Sequence, residues 1–263
     1  MQRINSFVLP RTHLLQYSRT IGVLFLLLCF LPQTGLALRL YAEDSPPGSF
    51  IKNGKVTGIS TEIVRAIQKS IGDQSPISIV PWARGYKYLL NEPDVGLFST
   101  TYTIERAPLF HWIGPLLRVK WCLYARKNAK IVINKLEDAK KVNRIGTYKH
   151  DAREHFLMKH GFTNLERSNS NMLNFKKLDR GHVDLVLGTN LGMRGIMESG
   201  EFKDNAFKEI LTIKQVDLYL ALSFDTDPDV VKAWQNGFER IVQQGEFDAI
   251  YSLWLPGQTP PVQ

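Results

Sequence analysis

The chain has 263 residues, is 44% hydrophobic and carries a formal net charge of +8. That apolar content excludes disorder over most of its length and supports one large domain or two of ordinary size. Lysines and arginines are interleaved with acids rather than gathered into a stripe, which argues against a nucleic-acid partner and leaves a modest attraction to anionic small molecules.

Arg3, Arg11 and Arg19 precede an apolar run from Ile21 to Leu31, followed by Pro32 and then Gly35-Leu36-Ala37. A basic segment, a short apolar segment and small residues before a cleavage point make residues 1–37 a secretory signal peptide, cut after Ala37. Eleven apolar residues or so fall short of the ~20 that span a bilayer. A lipid on Cys29 is disfavoured, because Leu28 precedes it where a small residue is required. Removal of this segment takes away three arginines and no acid, lowering the charge from +8 to +5. It also removes one of the two cysteines, so Cys122 is left without an intramolecular partner. Within Val119-Lys-Trp-Cys-Leu-Tyr124 it reads as a buried small hydrophobe rather than a nucleophile.

Leu38 to Ala42 predicts a first strand, and Glu43-Asp44-Ser45-Pro46-Pro47-Gly48 a loop. Asn53-Gly54-Lys55 reads as a tight turn. Ile59, Ile63, Ala66, Ile67 and Ile71 recur at helical spacing with polar residues between them, predicting an amphipathic helix on a sheet. Ile77 to Val80 is a second strand, Pro81 to Arg84 a turn and Gly85 to Asn91 a short helix. Val95 to Phe98 is a third, buried strand. Such alternation is the rhythm of an α/β domain with a parallel sheet.

The strand at Val95 runs into Ser99-Thr-Thr-Tyr-Thr-Ile-Glu-Arg-Ala-Pro108, where Thr103 suits a helix N-cap and Glu105 a first turn. Arg106 opposes the helix dipole there. Two readings stand on the local residues alone. Either Arg106 is a solvated surface residue beside loop hydroxyls, or it joins Ser99 and Thr101 around an external carboxylate, which would take bidentate and charge-assisted bonds.

After Pro115 an extended run reaches Ala125, and a crossing into a second lobe is placed near Arg118. There a short helix at about Leu136 to Lys140 precedes a strand from Val142 to Tyr148. Asp151 caps a helix ending at His160 and Gly161. Further elements are a helix from Met172 to Asp179, a strand from Val183 to Leu187 and a helix from Asn190 to Glu198. Two strand-like runs beyond Ile210 lead to helices at Asp229 to Gln243 and Glu246 to Leu253. The expected division is 38–117 with 213–255 as lobe 1, 118–212 as lobe 2, and 256–263 as a flexible tail. His150, His155 and His160, five apart, would be turned ~140° from one another on a helix and so could not share a metal. No metal or cofactor is expected.

The Gly54-Lys55-x-x-Gly58 turn with Glu62, the Ser99-x-Thr101-x-Thr103-x-x-Arg106 stretch with Phe110 and Pro115, and Gly181-His-Val-Asp184 before a strand occur in one order. In that order the chain resembles the extracellular solute-binding proteins of family 3, periplasmic receptors that deliver polar amino acids and related solutes to ABC importers. The resemblance implies a two-lobed α/β periplasmic-binding-protein fold of type II with a hinge of two crossing segments, a monomeric state, a small-molecule ligand and a membrane permease as partner. It assigns the ligand's carboxylate to Ser99, Thr101 and Arg106. It places Glu43 at the cleft, with Phe50 in a loop position and Trp82 as an apolar wall. The acid that usually holds an α-amino group falls at Thr189, and the usual Gly-Thr/Ser segment holds His150, Asp151 and Ala152. An ammonium would therefore need Asp151 or Glu43, or the ligand is not an ordinary α-amino acid. Two rival classes remain: a dehydratase-like enzyme on the same fold, using Glu43, Asp151 and His150 for acid–base work, and a soluble sensor acting on a membrane partner.

Overall fold

The computed structural model describes residues 37–262, so apart from Ala37 the expected signal peptide lies outside the described residues. Ten strands and seven α-helices occur among them: β1 Arg39–Ala42, β2 Phe50–Lys52, β3 Lys55–Thr57, α1 Ile59–Ile71, β4 Ile77–Ile79, α2 Trp82–Asn91, β5 Val95–Thr101, β6 Phe110–Arg126, β7 Ile145–Tyr148, α3 Ala152–Lys159, β8 Leu165–Ser168, α4 Asn171–Asp179, β9 Leu185–Thr189, α5 Asn190–Glu198, β10 Phe207–Ser223, α6 Pro228–Gln243 and α7 Glu246–Trp254. No helix among them is long and apolar enough to cross a membrane.

The fold is a two-lobed α/β architecture organised by two long strands. β6 and β10, 17 residues each, pair antiparallel from Phe110↔Ser223 to Arg126↔Phe207. On one side β5, β1 and β4 add parallel to one another. On the other, β9, β7 and β8 do the same, giving the order β4-β1-β5-β10-β6-β9-β7-β8. The hydrogen-bonded ladder is therefore continuous, because the two hinge strands belong to both lobes. The main cores are distinct, with Val216 packed against both. Leu40, Ile63, Ile67, Val119, Trp234 and Phe238 share one cluster, whereas Trp121, Leu123, Ile145 and Leu187 share another.

Helix α1 follows from its periodicity: Ile59, Ile63, Val64 and Ile67 are fully buried, and each such side chain contributes about 1.5–3 kcal/mol relative to exposure. Gly237 lets α6 approach it, since a Cβ there would lie 2.7 Å from a methyl of Ile71. Val262, in the stretch expected to be a flexible tail, packs against this cluster.

Several local expectations are corrected. Helix α2 begins at Trp82 instead of Gly85, because Pro81 serves as its N-cap and its carbonyl accepts from the Gly85 amide. The turn at Thr103 closes a single hydrogen-bonded turn on the Thr103 carbonyl and then a 3-10 turn at Ala107–Leu109, not an α-helix. The two runs beyond Ile210 are one strand, β10. Strands β2 and β3 flank the expected turn as a hairpin, with Asn53 and Gly54 at φ 51° and 73°, the pair of left-handed residues a two-residue hairpin turn needs.

Candidate functional site

The site is built where β5 and the loop after it meet the second lobe. Arg106 is 4% exposed. Its guanidinium carbon lies 4.7 Å from the ring centroid of Tyr86 and 5.3 Å from that of Trp82, while Nη1 donates to the Thr101 carbonyl at 3.4 Å. Nη2 is buried and has no hydrogen-bond partner among the described residues. A buried charged donor without an acceptor is costly, which makes this atom a candidate contact for an external acceptor. The solvated-surface reading of Arg106 does not hold.

Ser99 adopts φ 60° and its hydroxyl donates to Ser60 Oγ at 2.9 Å. Thr101, two residues on, is buried. β5 is irregular at Ser99, where its register against β10 shifts between Tyr219 and Ala221, so strand alternation does not set the relation of the two hydroxyls. Both residues line a small cavity of about 60 Å³ together with Glu43, Asp151 and Thr189. Thr101 also lines a larger one of about 610 Å³, and it is there, with Trp121 and Tyr86, that Arg106 sits. Thr101 thus joins the two chambers, and Ser99 and Arg106 face different ones. Phe50 lines a third cavity of about 650 Å³, with Pro46 and Tyr148, on the other flank.

The small cavity is narrow because the protein's own charges occupy it. Arg153, unforeseen from the sequence, is buried and donates from Nε to Asp151 Oδ1 at 2.6 Å. Its only sequence signal was an arginine two residues after a helix N-cap, where cations are unfavourable without an acid. Burial pushes the Asp151 carboxyl up, but Arg153 outweighs that and holds it below the ordinary carboxylate range. Asp151 also caps α3 by accepting from the Arg153 amide. Glu43 is pushed up to about 7, first by burial and then by the nearby Asp151 charge, with Arg153 opposing. Thr189 caps α5, accepting from the Gly192 amide at 2.9 Å. Its hydroxyl serves the helix, and no carboxylate stands at this position.

Trp82 forms a latch between the lobes rather than a bare apolar wall. Its amide donates to the Tyr148 hydroxyl at 3.2 Å and its indole N–H to the His150 carbonyl at 3.1 Å. His150 precedes α3 with φ 61°, so the helical spacing that separates the histidines does not apply to it. Ligand atoms of His150, Glu154 and His155 lie within 4.8 Å of one another. Glu154 is already engaged by the His150 amide and the Arg167 guanidinium. His160 stands apart, its ring against Phe156. Cys122 is buried in the second lobe and burial pushes its thiol up, consistent with packing and not with nucleophilic chemistry.

A model of the bacterial extracellular solute-binding proteins, family 3, matches residues 39–257. Comparison with curated proteins yields no match. Among solved structures, a histidine kinase sensor domain with similarity to periplasmic binding proteins superposes with a TM-score of 0.79 at 19% identity, covering 86% of this chain and 98% of that one. The arginine-, lysine-, histidine-binding protein ArtJ from Geobacillus stearothermophilus gives 0.74 at 14% identity, covering 86% and 97%. An ancestral arginine-binding protein bound to glutamine gives 0.73 at 20%, covering 83% and 97%.

Proposed function

The chain belongs to the bacterial extracellular solute-binding proteins, family 3, and from that premise we propose that it is a periplasmic receptor that holds a small carboxylate-bearing solute between its lobes and delivers it to a membrane ABC importer. The observation that carries this reading is the buried, unpartnered Nη2 of Arg106 at an interlobe cavity. A carboxylate there would accept from Nη2 and relieve the cost of burying it. Thr101 stands beside it as a second polar contact, Ser99 lines the adjoining chamber, and Glu43, Trp82, Asp151 and Thr189 shape the lobe contact around them. The monomer suffices for this role, since both walls of the cleft come from one chain.

A thermal-shift screen of the protein from Leu38 onward against amino acids, small carboxylates and amines tests it. Ligand at 100 times its dissociation constant stabilises by ~2.7 kcal/mol. Stabilisation by carboxylates that vanishes in Arg106→Ala supports the reading; stabilisation by amines alone overturns it. A second reading, a soluble sensor that presents its ligand to a membrane partner, is favoured by the likeness to a kinase sensor domain. Co-purification with a permease rather than with a kinase separates the two. A dehydratase-like enzyme is the weaker reading, because the cavity that Glu43 and Asp151 line measures only about 60 Å³, well under the ~300–1,000 Å³ of small-molecule sites.

A further inference from the structure

The larger chamber beside Arg106 has a chemical character of its own. Its volume, about 610 Å³, lies within the ~300–1,000 Å³ of small-molecule sites. Four aromatic residues line it from four different elements: Tyr86 of α2, Tyr102 after β5, Trp121 of β6 and Phe156 of α3. Lys214 of the hinge strand β10 also lines it, with Nζ 4.5 Å from the ring centroids of both Trp121 and Phe156. The one acid there, Glu105, is already bridged to Lys159 at 2.7 Å. Among the described residues Arg106 and Lys214 form no salt bridge, feeling Asp151 and Glu105 only as nearby charges, at a chamber walled by rings.

Resting on the carboxylate reading above, we infer that the solute is an organic anion with an aromatic body and no free ammonium group, its carboxylate on Arg106 and its ring among Trp121, Phe156, Tyr86 and Tyr102, with Lys214 as a second cationic contact. Ring walls favour a planar apolar body through edge-to-face and stacked contacts. An ammonium in the chamber would face Arg106 and Lys214, and the one carboxylate among the lining residues, Glu105, is already engaged by Lys159. Like charges brought together in a desolvated site oppose binding. Burial pushes the Lys214 ammonium below its ordinary value, with Glu105 opposing, so a bound anion would also favour its charged form.

The test compares 3-phenylpropanoate with L-phenylalanine, which differ by the ammonium group, and adds phthalate, benzylamine, L-arginine and L-glutamate, by calorimetry on the chain from Leu38. The expected result is that 3-phenylpropanoate binds ~10-fold or more tightly than L-phenylalanine, phthalate binds and benzylamine does not. Lys214→Met should then weaken phthalate several-fold and Lys214→Arg should keep its binding, which excludes a folding defect as the cause. L-phenylalanine binding as well as or better than 3-phenylpropanoate overturns the inference. Binding of L-arginine or L-glutamate that needs Arg106, with no phenyl carboxylate bound, overturns it too while leaving the carboxylate reading intact. Binding of none of these anions counts against both.

Discussion

A Cβ placed on Gly195 would lie 2.0 Å from the carbonyl oxygen of Pro46. Helix α5 of the second lobe therefore meets the loop after β1 through bare backbone, and this contact defines how closely the lobes approach. Gly195→Ala should push them apart. Within a helix the same change adds roughly 1 kcal/mol of helix propensity, set against the interlobe contact it breaks, so the ligand-free protein should melt close to wild type. Its affinity for a ligand enclosed by both lobes should fall ~10-fold or more. An unchanged affinity would show that ligand is held in a more open arrangement.

Glu43 gives a stability profile with a definite sign. Its carboxyl is raised from the ordinary 4.5 to about 7, chiefly by burial. Between those values the unfolded chain has released the proton and the folded chain retains it. This group's contribution is therefore fully present below about pH 4.5 and declines as pH rises to about 7, by an order of 3 kcal/mol. Glu43→Gln, which keeps a neutral side chain at all pH values, should flatten that part of the profile. Thermal melts of both proteins at intervals from pH 4.5 to 7.5 read it. Parallel curves would mean that Glu43 ionises freely in the folded state.

The buried pair of Asp151 and Arg153 should behave asymmetrically. Asp151→Ala leaves Arg153 charged, buried and unpaired and also removes an N-cap, so a loss of ~3–5 kcal/mol is expected from the pair alone. Removing both charges together, as Asp151→Ser with Arg153→Met, keeps a capping hydroxyl and an apolar stem and should cost much less. Chemical denaturation of the two variants decides it. Equal losses would mean that the cap and not the charge pair dominates.

Much of the architecture was legible because it rests on periodicity. The five isoleucine and alanine positions of α1 and the start and stop of α3 at Asp151 and Gly161 are local signals, and local signals survive folding. The continuity of the sheet was not legible, since it depends on β6 and β10 pairing across about a hundred residues, and nothing in either strand alone shows its partner. Strand β8, Leu-Glu-Arg-Ser, was missed because an edge strand with half-buried polar residues has no apolar run. At the site, the hydroxyls and Arg106 were readable as residue types in a sequence order. That Thr101 stands between two chambers, that Arg153 fills the smaller and that Lys214 borders the larger are consequences of lobe packing, which spacing along the chain does not encode.

Arg106 itself offers the most decisive substitution. Two effects act on the ligand-free protein. The guanidinium gains from Tyr86 and Trp82, where such contacts are worth ~0.5–2 kcal/mol, and it loses from its unpaired buried Nη2, at ~1–3 kcal/mol. These nearly offset, so Arg106→Ala should unfold within about 1–2 kcal/mol of wild type. In the complex no such cancellation exists, because the substitution removes the donor that the anion needs. The affinity loss should be ~2–5 kcal/mol, roughly 30- to 5,000-fold. Arg106→Lys should recover little of it, since an ammonium offers no planar fork to a carboxylate and stacks poorly between two rings. Ser99→Ala should cost about 1 kcal/mol of stability, the contribution of its hydrogen bond to Ser60, and Ser99→Gly should be no worse because the φ of 60° at this position suits glycine. Denaturation and calorimetry on the same preparations read both quantities. If Arg106→Ala lost stability and affinity in equal measure, the arginine would be holding the lobe together and the solute would lie elsewhere.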